Sequence, residues 1–155
     1  MATGARNQQT GRAGEYYVAA ELNRRGAYAV TFTGNMPKVD VMASSTDRTR
    51  TVFIQVKTCR AGDWQTSTDE GRKCDPIDEE SRFWIFVRID SENEPPEYFI
   101  VPDWWMRNNI YEHHQLYLAK HGGKRAVNPK TRHHSIRLKR INEWKNRWDI
   151  LKIIS

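Results

Sequence analysis

Two short apolar segments joined by a polar loop constrain the fold of this chain more than any other feature of its sequence. Residues 37–43 and 52–58 have the composition of β-strands, and the polar loop between them predicts a hairpin. Side chains alternate between the two faces of a strand, so Gln55 and Lys57 share one face while their apolar neighbours point into the core. The hairpin is expected to bring Asp40 beside this polar pair. Buried polar groups are costly unless they pair with one another, a metal or a ligand, so the cluster is a candidate site.

A second carboxylate comes from the first predicted helix. Residues 12–25 show helical periodicity, and a glycine follows where helices commonly end. On a helical wheel Glu15 lies at the centre of the apolar stripe that includes Val18 and Leu22. Because this stripe should face the sheet, Glu15 is predicted to reach the site beside Asp40.

The order of elements predicts an α/β fold, with a mixed central β-sheet flanked by α-helices. One domain is expected over residues 11–155, preceded by a flexible leader at residues 1–10. The dense apolar run at residues 82–88 is typical of a central buried strand. Further strands are predicted at 28–33, 98–101 and 135–138, with a loop at 59–80 and a basic loop at 124–134. Helices are predicted at 103–120, with Asp103 as the N-cap, and at 141–151, where Trp144 and Trp148 lie four residues apart.

The formal net charge of +6 is unevenly distributed along the chain. Residues 120–147 contain ten Lys and Arg residues and one acidic residue, Glu143. This density indicates contact with a polyanion, most often nucleic acid, although a solvated basic surface has the same composition. The residues expected to contact a nucleic-acid backbone are Lys124, Arg125, Lys130, Arg132, Arg137 and Arg140.

Composition also narrows the class of protein. No apolar run reaches the roughly 18 residues that a membrane helix needs, and no signal peptide is expected from the first residues. A disulfide between Cys59 and Cys74 is geometrically possible, but two reduced thiols are the preferred interpretation, which predicts a cytoplasmic protein. The histidine pairs have no nearby cysteine to complete a zinc site. Trp64 lies alone in a polar loop, and two interpretations of it are open. Its ring either stacks on a nucleic-acid base or covers the edge of the sheet.

The residue types of the predicted cluster suit phosphodiester hydrolysis. That reaction commonly uses a divalent cation to polarise the phosphate and to lower the pKa of an attacking water. Mg²⁺ or Mn²⁺ is the predicted cofactor, because these ions prefer hard oxygen ligands of the kind that Asp40, Glu15 and Gln55 supply. The Val56 carbonyl adds a further oxygen. Lys57 would orient the water or stabilise charge that builds on the phosphate.

The same residues carry a resemblance to a known superfamily. Asp40 followed by Gln55-Val56-Lys57 resembles the PD-(D/E)xK nucleases, in which an Asp on one strand precedes an acidic-x-Lys triplet on the next. The Gln at the acidic position is similar to that of Mrr-like restriction endonucleases. The segments at residues 11–15 and 39–43 resemble archaeal-type Holliday-junction resolvases, in which a Glu on the opening helix joins the metal site. The resemblance covers roughly residues 11–58.

This resemblance implies a restriction-endonuclease-like fold and a metal-dependent endonuclease that hydrolyses DNA. It assigns Asp40 as the principal metal ligand, Gln55 as a weaker one and Glu15 as a supporting one, with Lys57 acting on the water or the phosphate. Replacing a carboxylate by Gln55 removes a negative charge from the metal site. A catalytically weakened, nuclease-fold DNA-binding module is therefore the alternative, and an RNA nuclease is a third interpretation. Superfamily members often dimerise, so a homodimer is also implied.

Overall fold

The part of the chain that is described contains seven β-strands, three α-helices and three short 3₁₀ helices, at Thr68–Glu70, Asn142–Trp144 and Trp148–Leu151. The structure is a computed structural model that describes residues 2–124 and 130–154. The strands are β1 (Tyr28–Met36), β2 (Val39–Ser44), β3 (Thr51–Cys59), β4 (Trp64–Ser67), β5 (Arg82–Arg88), β6 (Glu97–Pro102) and β7 (His133–Ile136). The helices are α1 (Ala2–Arg24), α2 (Asp103–Lys120) and α3 (Leu138–Ile141). Within the described ranges, no helix combines the length and the apolar character needed to cross a membrane.

A mixed five-stranded sheet forms the centre of the fold, with the strand order β1-β2-β3-β5-β6. Neighbouring strands are antiparallel except for β3 and β5, which run parallel. Helix α1 packs on one face of this sheet and α2 on the other. The predicted α/β fold, a mixed central sheet flanked by helices, is therefore confirmed.

Strand β5 is buried on both faces, which explains its continuous apolar sequence. Phe83, Ile85 and Val87 pack into the core on the α1 side of the sheet, together with residues of α1. Trp84 and Phe86 pack into the core on the α2 side. The prediction of a central buried strand at residues 82–88 is confirmed.

Helix α1 begins at Ala2, ten residues before the predicted start, so the segment expected to be a leader is helical from residue 2. Arg60 Nε donates a hydrogen bond to Thr10 Oγ1 at 2.9 Å, which ties this part of the helix to the end of β3. Residues 3–9 are exposed. Because they bury no face, they lack the apolar periodicity from which a helix is predicted.

The predicted loop at 59–80 contains strand β4, which pairs antiparallel with β7 in a two-stranded ribbon. Trp64 is only 1% exposed, and its indole nitrogen donates to the Val87 carbonyl at 3.0 Å. Its ring makes edge-to-face contacts with Phe86 and Phe99. Trp64 therefore packs in the core on the α2 side, where it is not available to stack on a base.

The prediction of one continuous helix at 141–151 is wrong. The segment contains two short 3₁₀ helices, and its two tryptophans lie on opposite sides of the sheet. Trp148 is buried in the core on the α1 side, whereas Trp144 packs against the core on the α2 side. Residues four apart on one helix would share a face. The chain instead crosses the β6 edge between them, with Asn146 in the left-handed region (φ 56°) and its N–H donating to the Tyr98 carbonyl at 2.9 Å.

Asp103 is the first residue of α2 and not its N-cap, which is Pro102. The Asp103 carboxylate is buried, where it accepts hydrogen bonds from Trp84 Nε1 at 2.7 Å and Arg107 Nε at 2.8 Å. Glu80 Oε2 accepts from the Trp104 N–H at 3.3 Å and so takes the capping role. The buried indole N–H of Trp84 needs an acceptor, and this requirement cannot be read from local helix signals.

Candidate active site

Asp40 lies at a break in the pairing of β2 with both of its neighbours. On one side, regular pairing with β3 extends only as far as Val41, which lies opposite Ile54. On the other side, Val41 pairs with Thr31 and Val39 with Met36, so residues 32–35 of β1 lie opposite Asp40 alone. Such bulges re-aim side chains and are common beside active sites.

The carboxylate of Asp40 fills the gap that opens between β2 and β3. Its Oδ2 accepts a hydrogen bond from the backbone N–H of Val56 at 2.7 Å. In a strand, the N–H and C=O groups of one residue point to the same neighbouring strand. The Val56 carbonyl oxygen therefore faces the same gap as the Asp40 carboxylate.

Glu15 reaches this region because α1 lies very close to β3. A Cβ atom built on Gly14 would lie 1.8 Å from Thr58 Oγ1, so only glycine allows this approach. The next residue, Glu15, is partly buried, with 20% of its side chain exposed. Glu15 and Asp40 line one small cleft of about 50 Å³, whose other lining residues are Arg12, Phe32, Gly34, Met36 and Val39.

Gln55 and Lys57 project from the face of β3 that is opposite α1. Their neighbour Val56 packs against the core on the α1 side, so alternation directs both side chains to the other face. Asp40 lies at the break in β2, so alternation does not assign its side chain to either face, and its carboxylate occupies the gap between β2 and β3. The Lys57 ammonium is close enough to Asp40 to lower the pKa of its carboxyl group.

The two carboxyl groups are held in an environment that disfavours their charge. Burial raises the pKa of Asp40 above its ordinary value, although the Val56 N–H, Lys57 and Arg12 each pull it down. Burial and the charge of Asp40 likewise raise the pKa of Glu15, against the opposing effect of Arg12. Two partly desolvated carboxylates that repel each other form a site that a cation would stabilise.

Arg12 is part of this site, and it was not among the predicted residues. Its Nη1 donates to Glu15 Oε2 at 3.0 Å, and its charge lowers the pKa of both carboxyl groups. A sequence signal for it exists, since residues three apart on a helix are neighbours on its surface. Arg12 therefore acts as a built-in counterion for the carboxylate pair.

Oxygen donors of the kind carried by Asp40 and Glu15 would suit Mg²⁺ or Mn²⁺ better than zinc. Nowhere in the described residues do three or more His, Cys, Asp or Glu side chains form a group able to hold a metal. A cation beside Asp40 and Glu15 would thus depend on the Gln55 amide and the Val56 carbonyl for further protein oxygens. A set made only of hard oxygen donors suits ions that retain several waters.

The predicted basic residues lie around α2 and β7. Lys124, Lys130 and Arg132 are exposed and line one cleft of about 630 Å³. Arg132 also pairs with Asp69 at 3.0 Å. Arg125 lies outside the described residues.

Two further predicted arginines, Arg137 and Arg140, line a second cleft of about 650 Å³. Arg137 is exposed and lies 3.9 Å from Asp63. Arg140 donates hydrogen bonds to Asn109 Oδ1 at 2.6 and 2.9 Å and to the Ser135 carbonyl at 2.9 Å. Burial lowers its pKa to about 10. Arg140 therefore links α2 to β7, and its guanidinium is engaged by the protein itself.

The charge arrangement predicts how two substitutions shift the carboxyl titrations. Replacing Lys57 by Gln should raise the pKa of Asp40, because it removes a cation that lowers it, while the pKa of Glu15 stays nearly unchanged. Replacing Arg12 by Gln should raise both. Carboxyl-detected NMR titration of the metal-free protein measures these shifts. A Lys57→Gln variant in which the pKa of Asp40 does not rise would contradict the proposed proximity.

Comparisons with known proteins gave matches among solved structures only. No protein-family model and no curated protein matches the chain. The chain is similar to Hjc from Archaeoglobus fulgidus, a Holliday junction resolvase from an archaeal hyperthermophile, with 14% identity, a TM-score of 0.48 and coverage of 86% of this chain and 88% of that one. It is also similar to the bacterial homing endonuclease I-Ssp6803I, with 11% identity, a TM-score of 0.47 and coverage of 94% and 91%.

Proposed function

We propose that this protein is a metal-dependent endonuclease that hydrolyses DNA phosphodiester bonds at a restriction-endonuclease-like site. One observation carries the proposal. The Asp40 carboxylate is fixed by the Val56 N–H at a break in the sheet, where the charge of Lys57 acts on it and its own charge raises the pKa of Glu15. A divalent cation would offset the repulsion between these two carboxylates, and such a cation supports phosphodiester hydrolysis.

Each residue has a role that follows from its position. Asp40 and Glu15 would hold the cation, with the Gln55 amide and the Val56 carbonyl as neutral oxygen donors. Mg²⁺ or Mn²⁺, when bound, polarises the phosphate and lowers the pKa of an attacking water. Lys57, whose charge lowers the pKa of the Asp40 carboxyl group, would orient that water or stabilise the charge that develops on the phosphate.

The basic surfaces favour nucleic acid as the substrate. Lys57 lines a cleft of about 470 Å³ that also contains Arg6 and Arg60, so two further cations lie next to the site. Cations that neutralise phosphates provide most of the sequence-independent affinity for nucleic acid and make it sensitive to salt. This cleft would position the phosphate backbone beside Asp40.

A catalytically weakened DNA-binding module is the second candidate, and one contact favours it. Arg12 already pairs with Glu15 at 3.0 Å, so a divalent cation would have to displace or coexist with a guanidinium. Gln55 contributes no negative charge that would offset this competition. A protein of this kind would bind DNA through the same basic clefts without cutting it.

Cleavage assays on linear duplex DNA, branched DNA, single-stranded DNA and RNA, with Mg²⁺ or Mn²⁺, separate these functions. We expect metal-dependent cleavage of DNA, reduced at least about 100-fold in Lys57→Ala because charge stabilisation in the transition state is lost. Lys145→Ala is the matched control, since that lysine pairs with Glu97 at the β6 edge, opposite the β1 side of the sheet. Salt-sensitive binding without cleavage would favour the binding module, and cleavage confined to RNA would contradict DNA as the substrate.

A further inference from the structure

The ribbon formed by β4 and β7 has one apolar and one polar face. Trp64 pairs with Ile136, and both are buried in the core on the α2 side. Alternation therefore turns the next positions outward, where Gln65 pairs with Ser135 and Ser67 with His133. Arg137 follows Ile136 and is exposed on the same side. The outward face thus carries hydrogen-bonding side chains only: Gln65, Ser67, His133, Ser135 and Arg137.

This polar face is continuous with the candidate active site. Gln65 lines the same 470 Å³ cleft as Lys57 and Arg60. Ser135 and Arg137 line a separate cleft, the one of about 650 Å³. A nucleic-acid duplex that approached Lys57 would consequently meet the ribbon.

The dimensions of the ribbon match one groove of B-form DNA. Paired strands lie about 4.8 Å apart, and the major groove, about 12 Å wide, admits a two-stranded ribbon with its side chains. The major groove presents a distinct pattern of donors, acceptors and methyl groups for each base pair. A-form RNA has a deep and narrow major groove that side chains cannot read, so the geometry favours duplex DNA over duplex RNA.

We propose that the β4–β7 ribbon enters the major groove of duplex DNA and reads base edges, with Arg137 and Gln65 as the principal specificity-determining residues. This inference rests on the proposed function, since it takes DNA as the substrate. Arg137 is joined to Asp63 only by an exposed contact of 3.9 Å, and such pairs contribute little, so its guanidinium is able to turn to a guanine. Gln65 Oε1 accepts from the Ser135 hydroxyl at 3.2 Å, which orients the amide for contact with an adenine.

Binding selection from a library of randomised DNA duplexes tests this inference. The Lys57→Ala protein serves as the parent, because it should bind without cutting. We expect the parent to enrich a short sequence motif. Adding Arg137→Ala or Gln65→Ala should reduce the preference at one or two positions of that motif by roughly 5- to 150-fold, while leaving the other positions intact. Arg24→Ala, at the end of α1 and exposed, is the matched arginine control and should retain the whole motif.

The outcomes distinguish this inference from the proposed function. An unchanged motif in both ribbon variants, the lack of any motif, or the lack of duplex binding would overturn the ribbon as a reading element. Metal-dependent cleavage by the wild-type protein with unaltered preferences in the Arg137 and Gln65 variants would overturn this inference alone. Motif changes in those variants, together with a wild-type protein that binds the motif and does not cut it, would overturn the proposed hydrolysis alone.

Discussion

The Asp40→Asn variant should unfold at a higher temperature than the wild-type protein at neutral pH and should have lost its activity. The folded-state pKa of Asp40 is raised, chiefly by burial. A raised pKa means that the folded state binds the proton more tightly than the unfolded chain does. The resulting stability is present at low pH and lost as pH rises through the folded-state pKa. At neutral pH the ionised carboxylate therefore destabilises the metal-free fold.

Asparagine removes this unfavourable charge while keeping an oxygen for the Val56 N–H. We expect a gain of up to about 1 kcal/mol in the free energy of unfolding, after allowance for the partial exposure of the site. The gain should vanish near pH 3, where the wild-type carboxyl group is also neutral. Loss of a residue that merely orients a metal ligand costs about 10- to 100-fold, so loss of a ligand should reduce cleavage more than 100-fold.

Thermal unfolding at pH 3 and pH 7, with and without Mn²⁺, measures the effects on stability, and a cleavage assay with Mn²⁺ measures the loss of activity. Mn²⁺ should raise the melting temperature of the wild-type protein but not that of Asp40→Asn, because only a ligand bound to the folded state stabilises it. Asp47→Asn is the control, because it should lower the melting temperature at neutral pH where Asp40→Asn raises it. Hydrogen bonds from Ser45 and Thr49 lower the pKa of Asp47 to about 2, so its loss should destabilise the protein at neutral pH. A lower melting temperature for Asp40→Asn at pH 7 would contradict the prediction.

The central sheet and the orientation of Glu15, Gln55 and Lys57 were predictable because their signals are local. The period-two alternation of β3 places Gln55 and Lys57 on one face, and the apolar run of β5 marks a strand covered on both sides. The helical stripe around Glu15 points it at the sheet. In each case the alternation of buried and exposed residues repeats within a few positions, so it can be predicted from the local sequence.

The parts that escaped prediction depend on partners distant in sequence. Strand β4 pairs with β7 across more than sixty residues, and the segment between Trp144 and Trp148 bends because the two rings enter opposite cores. Similarly, the hydrogen bond from Val56 to Asp40 exists because the β2 ladder breaks at that point. Tertiary pairing of this kind leaves no periodic trace in the chain, so local patterns describe such segments as loops or extend a helix through them.

The Gly14→Ala variant should be both less stable and far less active, because the site depends on the close approach of α1 to β3. The added methyl group would lie 1.8 Å from Thr58 Oγ1 and 2.9 Å from Thr58 Cβ. Rotation of the hydroxyl relieves only the first contact, so the helix itself has to move. Overpacking of this kind costs about 1–3 kcal/mol. Glu15 moves with the helix. A displacement of about 1 Å in an active site can reduce the catalytic rate roughly 100-fold.

Gly11→Ala separates this contact from the general effect of alanine on a helix. Gly11 lies one turn earlier in α1 and has nothing within 4 Å of its would-be Cβ, so alanine there should stabilise the protein by up to about 1 kcal/mol. Thr58→Ala, which removes a buried hydroxyl that has no hydrogen-bond partner among the described residues, should restore part of the stability and activity of Gly14→Ala. Equal effects of alanine at positions 11 and 14 would show that the packing of α1 against Thr58 does not position Glu15. Unfolding curves and cleavage rates are measured for Gly11→Ala, Gly14→Ala, Thr58→Ala and the Gly14→Ala/Thr58→Ala double variant. Only a steric contact between residues 14 and 58 makes Thr58→Ala beneficial in the Gly14→Ala protein and nearly neutral in the wild-type protein.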